Sequence, residues 1–336
     1  MSDPELFSRY QEATVPVVEQ MLLQYCQELL PSEYHNQKAI INYHFNWDSK
    51  ADEKNRKGKR LRPLMLLLAT ESVGGKPEKA MPAASAVEFI HNFSLIHDDI
   101  EDHDEFRHGK ESIWMKYGVE IAINAGDALF SLAFLSLGQL EGEDKNILEL
   151  LGILSSTCAK LTGGQDMDLG FERADIISLE DYLLMVQGKT VSLFEACCSM
   201  GSILGGGSLN ERQSLSRFGK KLGLAFQVRD DWLGLWGDPE KTGKKRGSDI
   251  FKAKWTFPIL YAAQTDASYI DEIRKGKGMI DAEEVIQKIA STGANEYTVG
   301  YMNRLLDEAV SELGNLESDT QANLILRSLI EIIRKV

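Results

Sequence analysis

Two short acidic stretches hold the residues best suited to chemistry. The first is Phe93-Ser94-Leu95-Ile96-His97-Asp98-Asp99-Ile100-Glu101-Asp102, where an apolar run ends in a dense set of carboxylates. Asp98 and Asp102 are four residues apart, so in a helix they share one face. Such a pair can hold one or two hard cations. Magnesium suits it, because magnesium takes a few carboxylates and keeps waters and phosphate oxygens as its other ligands. The second stretch is Phe226-Gln227-Val228-Arg229-Asp230-Asp231-Trp232-Leu233-Gly234. At least one of two adjacent aspartates in an apolar helix must turn inward, and a buried carboxylate needs a partner or a metal. Taken singly, the first stretch also reads as a solvated helix end and the second as a structural salt bridge. Taken together, they describe two helices that would grip a diphosphate from both sides through magnesium. An EF-hand is excluded, since its alternating acidic ligands and following glycine are missing.

Metal ligands of this kind leave a second, metal-free diphosphate unbound. That task needs lysine, arginine or protonated histidine. Lys54-Asn55-Arg56-Lys57-Gly58-Lys59-Arg60-Leu61-Arg62-Pro63 is the one concentrated basic stretch, and it directly precedes a predicted helix. The helix N-terminus adds its own attraction for an anion. A surface patch for anionic lipid or RNA is the competing reading, and a formal net charge of −14 opposes it. Further cations flank the acidic motifs: Arg107 after the first, Lys189 with Thr190 before the second, and Lys244 and Lys254 after it. The Thr242–Gly247 loop is not a P-loop, because it lacks both the GxxxxGK[ST] spacing and a preceding strand.

The elements that must position these groups are helical. Apolar residues recur three and four apart over Pro63–Ser72, Pro82–His97, Val119–Leu140, Ile147–Leu161, Leu179–Leu204, Asn210–Leu235, Lys254–Ala263, Asp281–Ile289, Glu296–Leu316 and Asp319–Arg334. Alternating β-branched runs are nearly absent. The chain is therefore expected to be all-α, a single-domain helical bundle over residues 1–336. His35 to Lys59 reads as a long polar surface connection. With 336 residues and 43% hydrophobic content, the chain can bury one large core. The four cysteines, Cys26, Cys158, Cys197 and Cys198, form no CxxC pair and read as reduced and buried, which points to the cytoplasm. No signal peptide is visible, and no apolar run is expected to reach the ~18 residues of a membrane span.

Several of these segments, in order, resemble the trans-isoprenyl diphosphate synthases, or polyprenyl synthetases. The matching residues are Gly58 to Pro63, Phe89-Ile90-His91 through Asp102, Gly126-Asp127, Gly163-Gly164-Gln165 with Asp168, Gly188-Lys189-Thr190, Gln227 through Asp231, Lys244 and Lys254. The resemblance implies helices around a deep central cavity and a homodimer. It implies that Lys59, Arg62 and His91 hold isopentenyl diphosphate. It makes Asp98, Asp102 and Asp230 magnesium ligands, and sets Arg107, Lys189, Thr190, Gln227, Lys244 and Lys254 around an allylic diphosphate. It also makes Phe93 and Ser94, five and four residues before Asp98, the floor that sets chain length. One bulky and one small residue there imply a twenty-carbon product, with fifteen carbons as the runner-up.

Three positions depart from the family pattern. His108 stands where a second arginine of the isopentenyl diphosphate site is expected, and histidine is only partly charged near neutrality. Glu111-Ser112 replaces the usual Pro-Thr, and Gly234 stands in place of a third aspartate. Other enzyme classes share parts of the pattern. A class I terpene cyclase would lack the basic site of Lys59, Arg62 and His91. An HD-type phosphohydrolase would leave Asp230-Asp231 unexplained. A non-catalytic subunit of a heteromeric synthase would not need intact Asp98, Asp102, Asp230 and Lys189.

Overall fold

The computed structural model describes residues 5–47, 58–141, 144–242, 247, 250, 254–275, 281–317 and 320–335. Helices dominate, as expected. They are α1 (Glu5–Leu29), α2 (His35–Phe45), α3 (Leu61–Ser72), α4 (Pro77–Glu101), α5 (Ile113–Tyr117), α6 (Val119–Leu137), α7 (Asp144–Phe171), α8 (Leu179–Val186), α9 (Ser192–Leu204) and α10 (Leu209–Trp236). They continue with α11 (Pro239–Thr242), α12 (Phe257–Thr265), α13 (Ser268–Lys275), α14 (Ala282–Ser291), α15 (Ala294–Leu313) and α16 (Gln321–Arg334). A one-turn π-helical segment, Gln187–Val191, joins α8 to α9. Among the described residues the strands are a two-residue hairpin, β1 (Phe106–Arg107) and β2 (Lys110–Glu111), with Arg107 opposite Lys110.

These residues form two compact units. The first comprises Met1–Ser155, Ala196–Gln213 and Leu316–Leu326, and the second Ser156–Glu195, Ser214–Asn315 and Arg327–Val336. In the first unit α4 packs on α3 and α6. Pro77 opens α4 at a position where its missing N–H costs nothing. Small side chains, Ala80, Ala83, Ala84 and Ala86, then let α4 sit in the interior against the buried run Leu64–Ala69 of α3. In the second unit α12 packs on α15, and Phe257, Tyr261, Tyr297 and Tyr301 stack between them.

The structure corrects three expectations. The stretch from His35 is not a surface connection throughout: it folds as α2 up to Phe45. Its polar composition hides a buried face of Ile40, Ile41, His44 and Phe45, so tertiary packing rather than propensity holds the helix. Helices α1 and α13 also escape the periodicity reading. Pro16 interrupts the pattern of α1, yet the helix runs through it and buries Phe7, Val18, Leu22 and Cys26. Finally, α6 is a 19-residue helix with a mean hydropathy of 1.4, long and apolar enough to cross a membrane by those two measures. It carries Glu120 and Asp127, and it buries one face, Ala122, Ala125, Leu129, Leu132 and Ala133, within the first unit.

Helix α9 crosses α3 at backbone contact. A Cβ on Gly201 would lie 2.3 Å from the Leu66 carbonyl oxygen and 2.8 Å from the Ala69 Cβ. Gly152, within α7, faces open space. Gly201→Ala should therefore destabilise the chain by about 1–3 kcal/mol through overpacking. Gly152→Ala should stabilise it by roughly 0.5–1 kcal/mol through helix propensity. Denaturant melts of the two variants read the opposite signs.

Candidate active site

Burial divides each adjacent aspartate pair. In the first unit Asp99 is 2% exposed, whereas Asp98 and Asp102 are half-buried on the outer side of the end of α4. Asp99 Oδ1 accepts from Arg107 Nε at 2.9 Å and from Arg107 Nη2. Burial pushes the Asp99 carboxyl above its usual range, and the Arg107 guanidinium works against that push. The ion pair ties the hairpin to α4. Asp102 caps the helix, its N–H donating to the Asp98 carbonyl at 2.8 Å.

The hairpin is also held from α2. Lys110 Nζ donates to the Tyr43 carbonyl and lies 4.1 Å from the Tyr43 ring centroid, and Tyr43 OH donates to the Glu111 carbonyl at 2.8 Å. His108 and Gly109 form the turn, with φ of 52° and 75°. Two left-handed residues suit a two-residue hairpin, and histidine tolerates that region better than most side chains. His108 is exposed, but lost hydration on its inner side and the cations of Arg107, Arg60 and Lys110 hold its imidazole below the ordinary value. It is thus mainly neutral at pH 7, unlike the arginine expected there.

The basic motif opens α3. Lys59 is exposed, and its carbonyl accepts from Gln11 Nε2 of α1 at 2.8 Å. Arg62 and His91 meet: Arg62 Nη1 lies 3.0 Å from His91 Nε2. Burial, then the cations of Arg62, Arg60 and Arg107, push His91 well below its ordinary value, so it is neutral and its Nε2 accepts from the guanidinium. Phe93 is buried, edge-on to Phe130 of α6 at 5.3 Å and to His97 at 4.8 Å. Phe130 continues to Phe134 at 5.1 Å. Ser94 Oγ donates to the His91 carbonyl at 2.8 Å. The Gly126-Asp127 motif also has a steric reason, since a Cβ on Gly126 would lie 2.3 Å from His97 Nε2.

In the second unit the inward partner is Asp231, 5% exposed, while Asp230 faces outward on α10. Asp231 Oδ2 accepts from Tyr182 OH and from the Phe257 N–H at 2.9 Å, and its Oδ1 accepts from Gln227 Nε2 at 2.9 Å. Thr190 Oγ1 donates to Gln227 Oε1 at 2.9 Å. One buried carboxylate thereby fixes α8, α10 and the start of α12, just after the half-buried Lys254. The π-helical segment crosses α7 through glycines. A Cβ on Gly164 would lie 2.3 Å from the Lys189 nitrogen, and one on Gly188 2.6 Å from the Lys160 carbonyl. This approach sets Lys189 Nζ 2.6 Å from Asp168 Oδ2. Lys244, and Lys54 to Lys57 of the basic stretch, lie outside the described residues.

Sequence reasoning missed the structural roles of Asp99, Asp231 and Tyr182. The adjacency of the aspartates signals that one of each pair turns inward, but spacing alone does not say which; only the family resemblance singles out Asp98 and Asp230. Tyr182 carries no local signal. Asp231→Asn, which weakens a buried charged hydrogen-bond set, should cost about 1.5–3 kcal/mol of stability. Asp230→Asn should stay within about 0.5 kcal/mol of the parent, as expected of an exposed side chain. Urea melts of the pair check the assignment.

Comparison with known proteins places these features in a family. The polyprenyl synthetase family profile matches residues 50–291. The geranylgeranyl diphosphate synthase of Methanosarcina mazei is 36% identical over 271 residues, covering 80% of this chain and 83% of that protein. A crystal structure of geranylgeranyl pyrophosphate synthetase from Pyrococcus horikoshii superposes with a TM-score of 0.88 at 33% identity, covering 99% of this chain and 98% of that one. Geranylgeranyl pyrophosphate synthase from Corynebacterium glutamicum, solved with isoprenyl diphosphate and magnesium, gives 0.83 at 26% identity, covering 95% and 98%. Other relatives are named farnesyl diphosphate synthases. The chain belongs to the polyprenyl synthetase family and is a trans-prenyltransferase of the kind that makes C20 or C15 diphosphates.

Proposed function

We propose that this chain joins isopentenyl diphosphate to an allylic diphosphate with magnesium and makes mainly the C20 product, geranylgeranyl diphosphate. The observation that carries the reading is the division of each Asp-Asp pair. Asp99 and Asp231 are engaged in internal hydrogen bonds, which supports Asp98, Asp102 and Asp230 as the metal ligands. The donor set fits magnesium. Among the described residues no group of three or more histidine, cysteine or acidic side chains could close a cage on a metal. Magnesium needs none, since water and substrate phosphate complete its shell. The magnesium bound with isoprenyl diphosphate in the Corynebacterium glutamicum enzyme supports the same choice.

When bound, the metal supplies positive charge to the departing diphosphate. The rest is done by side chains. Lys189, pre-oriented by Asp168, adds charge as the allylic carbon–oxygen bond breaks, together with Arg107, Lys244 and Lys254. Thr190 and Gln227, locked to each other and to Asp231, orient that substrate. Lys59, Arg62, His91 and His108 hold isopentenyl diphosphate, with His91 fixing the Arg62 guanidinium. The double bond attacks the allylic cation, and the proton then lost goes to the released diphosphate.

The chain acts as one domain over residues 1–336 and as a homodimer in the cytoplasm. Helices α7, α9, α10 and α16 each supply residues to both compact units, which supports a single domain. Met115 and Tyr117 of α5, with Val119, Ile123 and Leu135 of α6, are large exposed apolar side chains that a second copy would cover. Product length rests on Phe93, whose ring is braced by Phe130 and followed by the small Ser94.

Two outcomes test the reading. Incubation with magnesium, labelled isopentenyl diphosphate and each allylic primer should give prenyl diphosphates, mostly C20. Excess chelator, Asp98→Ala or Asp230→Ala should each remove several orders of magnitude of activity. Full turnover in chelator sinks the metal assignment. In chromatography of the products, Phe93→Ala should shift the distribution beyond C20; an active variant with unchanged products moves the floor elsewhere.

A further inference from the structure

Of the cations in Lys59-Arg60-Leu61-Arg62, one cannot reach a substrate. Arg60 is 7% exposed, and its guanidinium is enclosed by carboxylates from two helices. Nε donates to Glu19 Oε1 of α1 at 2.6 Å, and Nη1 donates to Glu88 Oε1 of α4 at 2.7 Å. Trp47 Nε1 donates to the other Glu19 oxygen at 2.7 Å. Asn92 Nδ2 donates to Glu88 Oε1 at 2.9 Å, and the Asn92 amide oxygen lies 2.9 Å from His44 Nε2. Arg60 Cζ lies over the Phe45 ring, 5.1 Å from its centroid. Gly58 leaves it room, because a Cβ there would lie 3.0 Å from Arg60 Nη1.

This set of bonds coincides with an unusual backbone. Arg60 is the residue preceding α3, and its φ and ψ are 49° and 37°. A left-handed backbone is disfavoured for a side chain such as arginine, so something must hold it. The residues on either side of that turn are Lys59, whose carbonyl is pinned by Gln11, and Arg62, whose guanidinium meets His91. Relaxing the turn would move both.

We propose that Arg60 is a positioning residue: anchored by Glu19 and Glu88, it holds the left-handed turn that sets Lys59 and Arg62 for the diphosphate of isopentenyl diphosphate. The proposal rests on the reading of Lys59, Arg62 and His91 as that site. Arg60 itself never touches substrate. Its loss is felt by one substrate and not by the other.

The test compares Michaelis constants for the two substrates in the full-length protein. Arg60→Lys keeps the charge but loses the two-sided bridge, and Glu19→Gln removes one anchor. Each should raise the constant for isopentenyl diphosphate about tenfold, a cost of misplacement without lost contact. The constant for the allylic primer should stay within about twofold. In a Lys59→Ala background the same changes should add less than they do alone. If Arg60→Lys does not fold, Glu19→Gln and Trp47→Phe carry the comparison. Equal rises for both substrates, or a lowered melting temperature with both constants unchanged, would overturn the positioning role. If Lys59→Ala itself leaves the constant for isopentenyl diphosphate unchanged, the site assignment falls and takes this role with it. If Lys59→Ala raises it while Arg60→Lys and Glu19→Gln do not, only the positioning role is overturned.

Discussion

A carboxylate buried in protein must be given hydrogen bonds or a counter-ion, and this requirement organises both acidic helices. Successive residues on a helix point about 100° apart, so an Asp-Asp pair at a boundary sends one side chain in and one out. The inward members, Asp99 and Asp231, act as tie points. Asp99 secures the hairpin through Arg107, and Asp231 secures α8 and the start of α12 through Tyr182 and the Phe257 amide. The outward members, Asp98 and Asp230, sit beside neighbours that are tied to other elements. A metal ligand gains from such support, because geometry fixed before binding need not be ordered during it.

Contacts at backbone distance perform the complementary task of bringing elements together. Gly126 admits His97, Gly201 admits the α3 backbone, and Gly164 with Gly188 lets α7 meet the π-helical turn. In the last case the close approach and the π-turn accompany the Lys189–Asp168 contact. These glycines have no catalytic chemistry of their own, yet Gly126 and the Gly164–Gly188 contact explain glycines in motifs beside His97 and Lys189.

The all-α fold and most helix positions could be read from the sequence, because long amphipathic helices print their period plainly. The two acidic stretches stood out as candidates for a different reason: adjacent carboxylates on apolar helices are costly to bury and so ask for a partner or a metal. What could not be read was set by distant parts of the chain. Helix α2 forms only because Ile40, Ile41 and Phe45 find a core to enter. The choice between Asp98 and Asp99, or Asp230 and Asp231, depends on where Arg107 and Tyr182 arrive in space. The basic run likewise looked uniform, although Arg60 and Arg62 differ completely in what they face.

The four cysteines give the molecule a set of internal clocks. Cys26, Cys158, Cys197 and Cys198 are all buried. Burial raises the thiols of Cys26 and Cys158 to about 11 and that of Cys197 to about 12. Thiolate is the reactive form, so these groups are shielded twice, by access and by protonation. An alkylating reagent therefore waits on opening of the surrounding helices rather than on its own concentration once opening limits the rate. Cys158 belongs to the second compact unit and the other three to the first, so peptide-resolved alkylation rates time the opening of each unit separately in an otherwise unaltered chain.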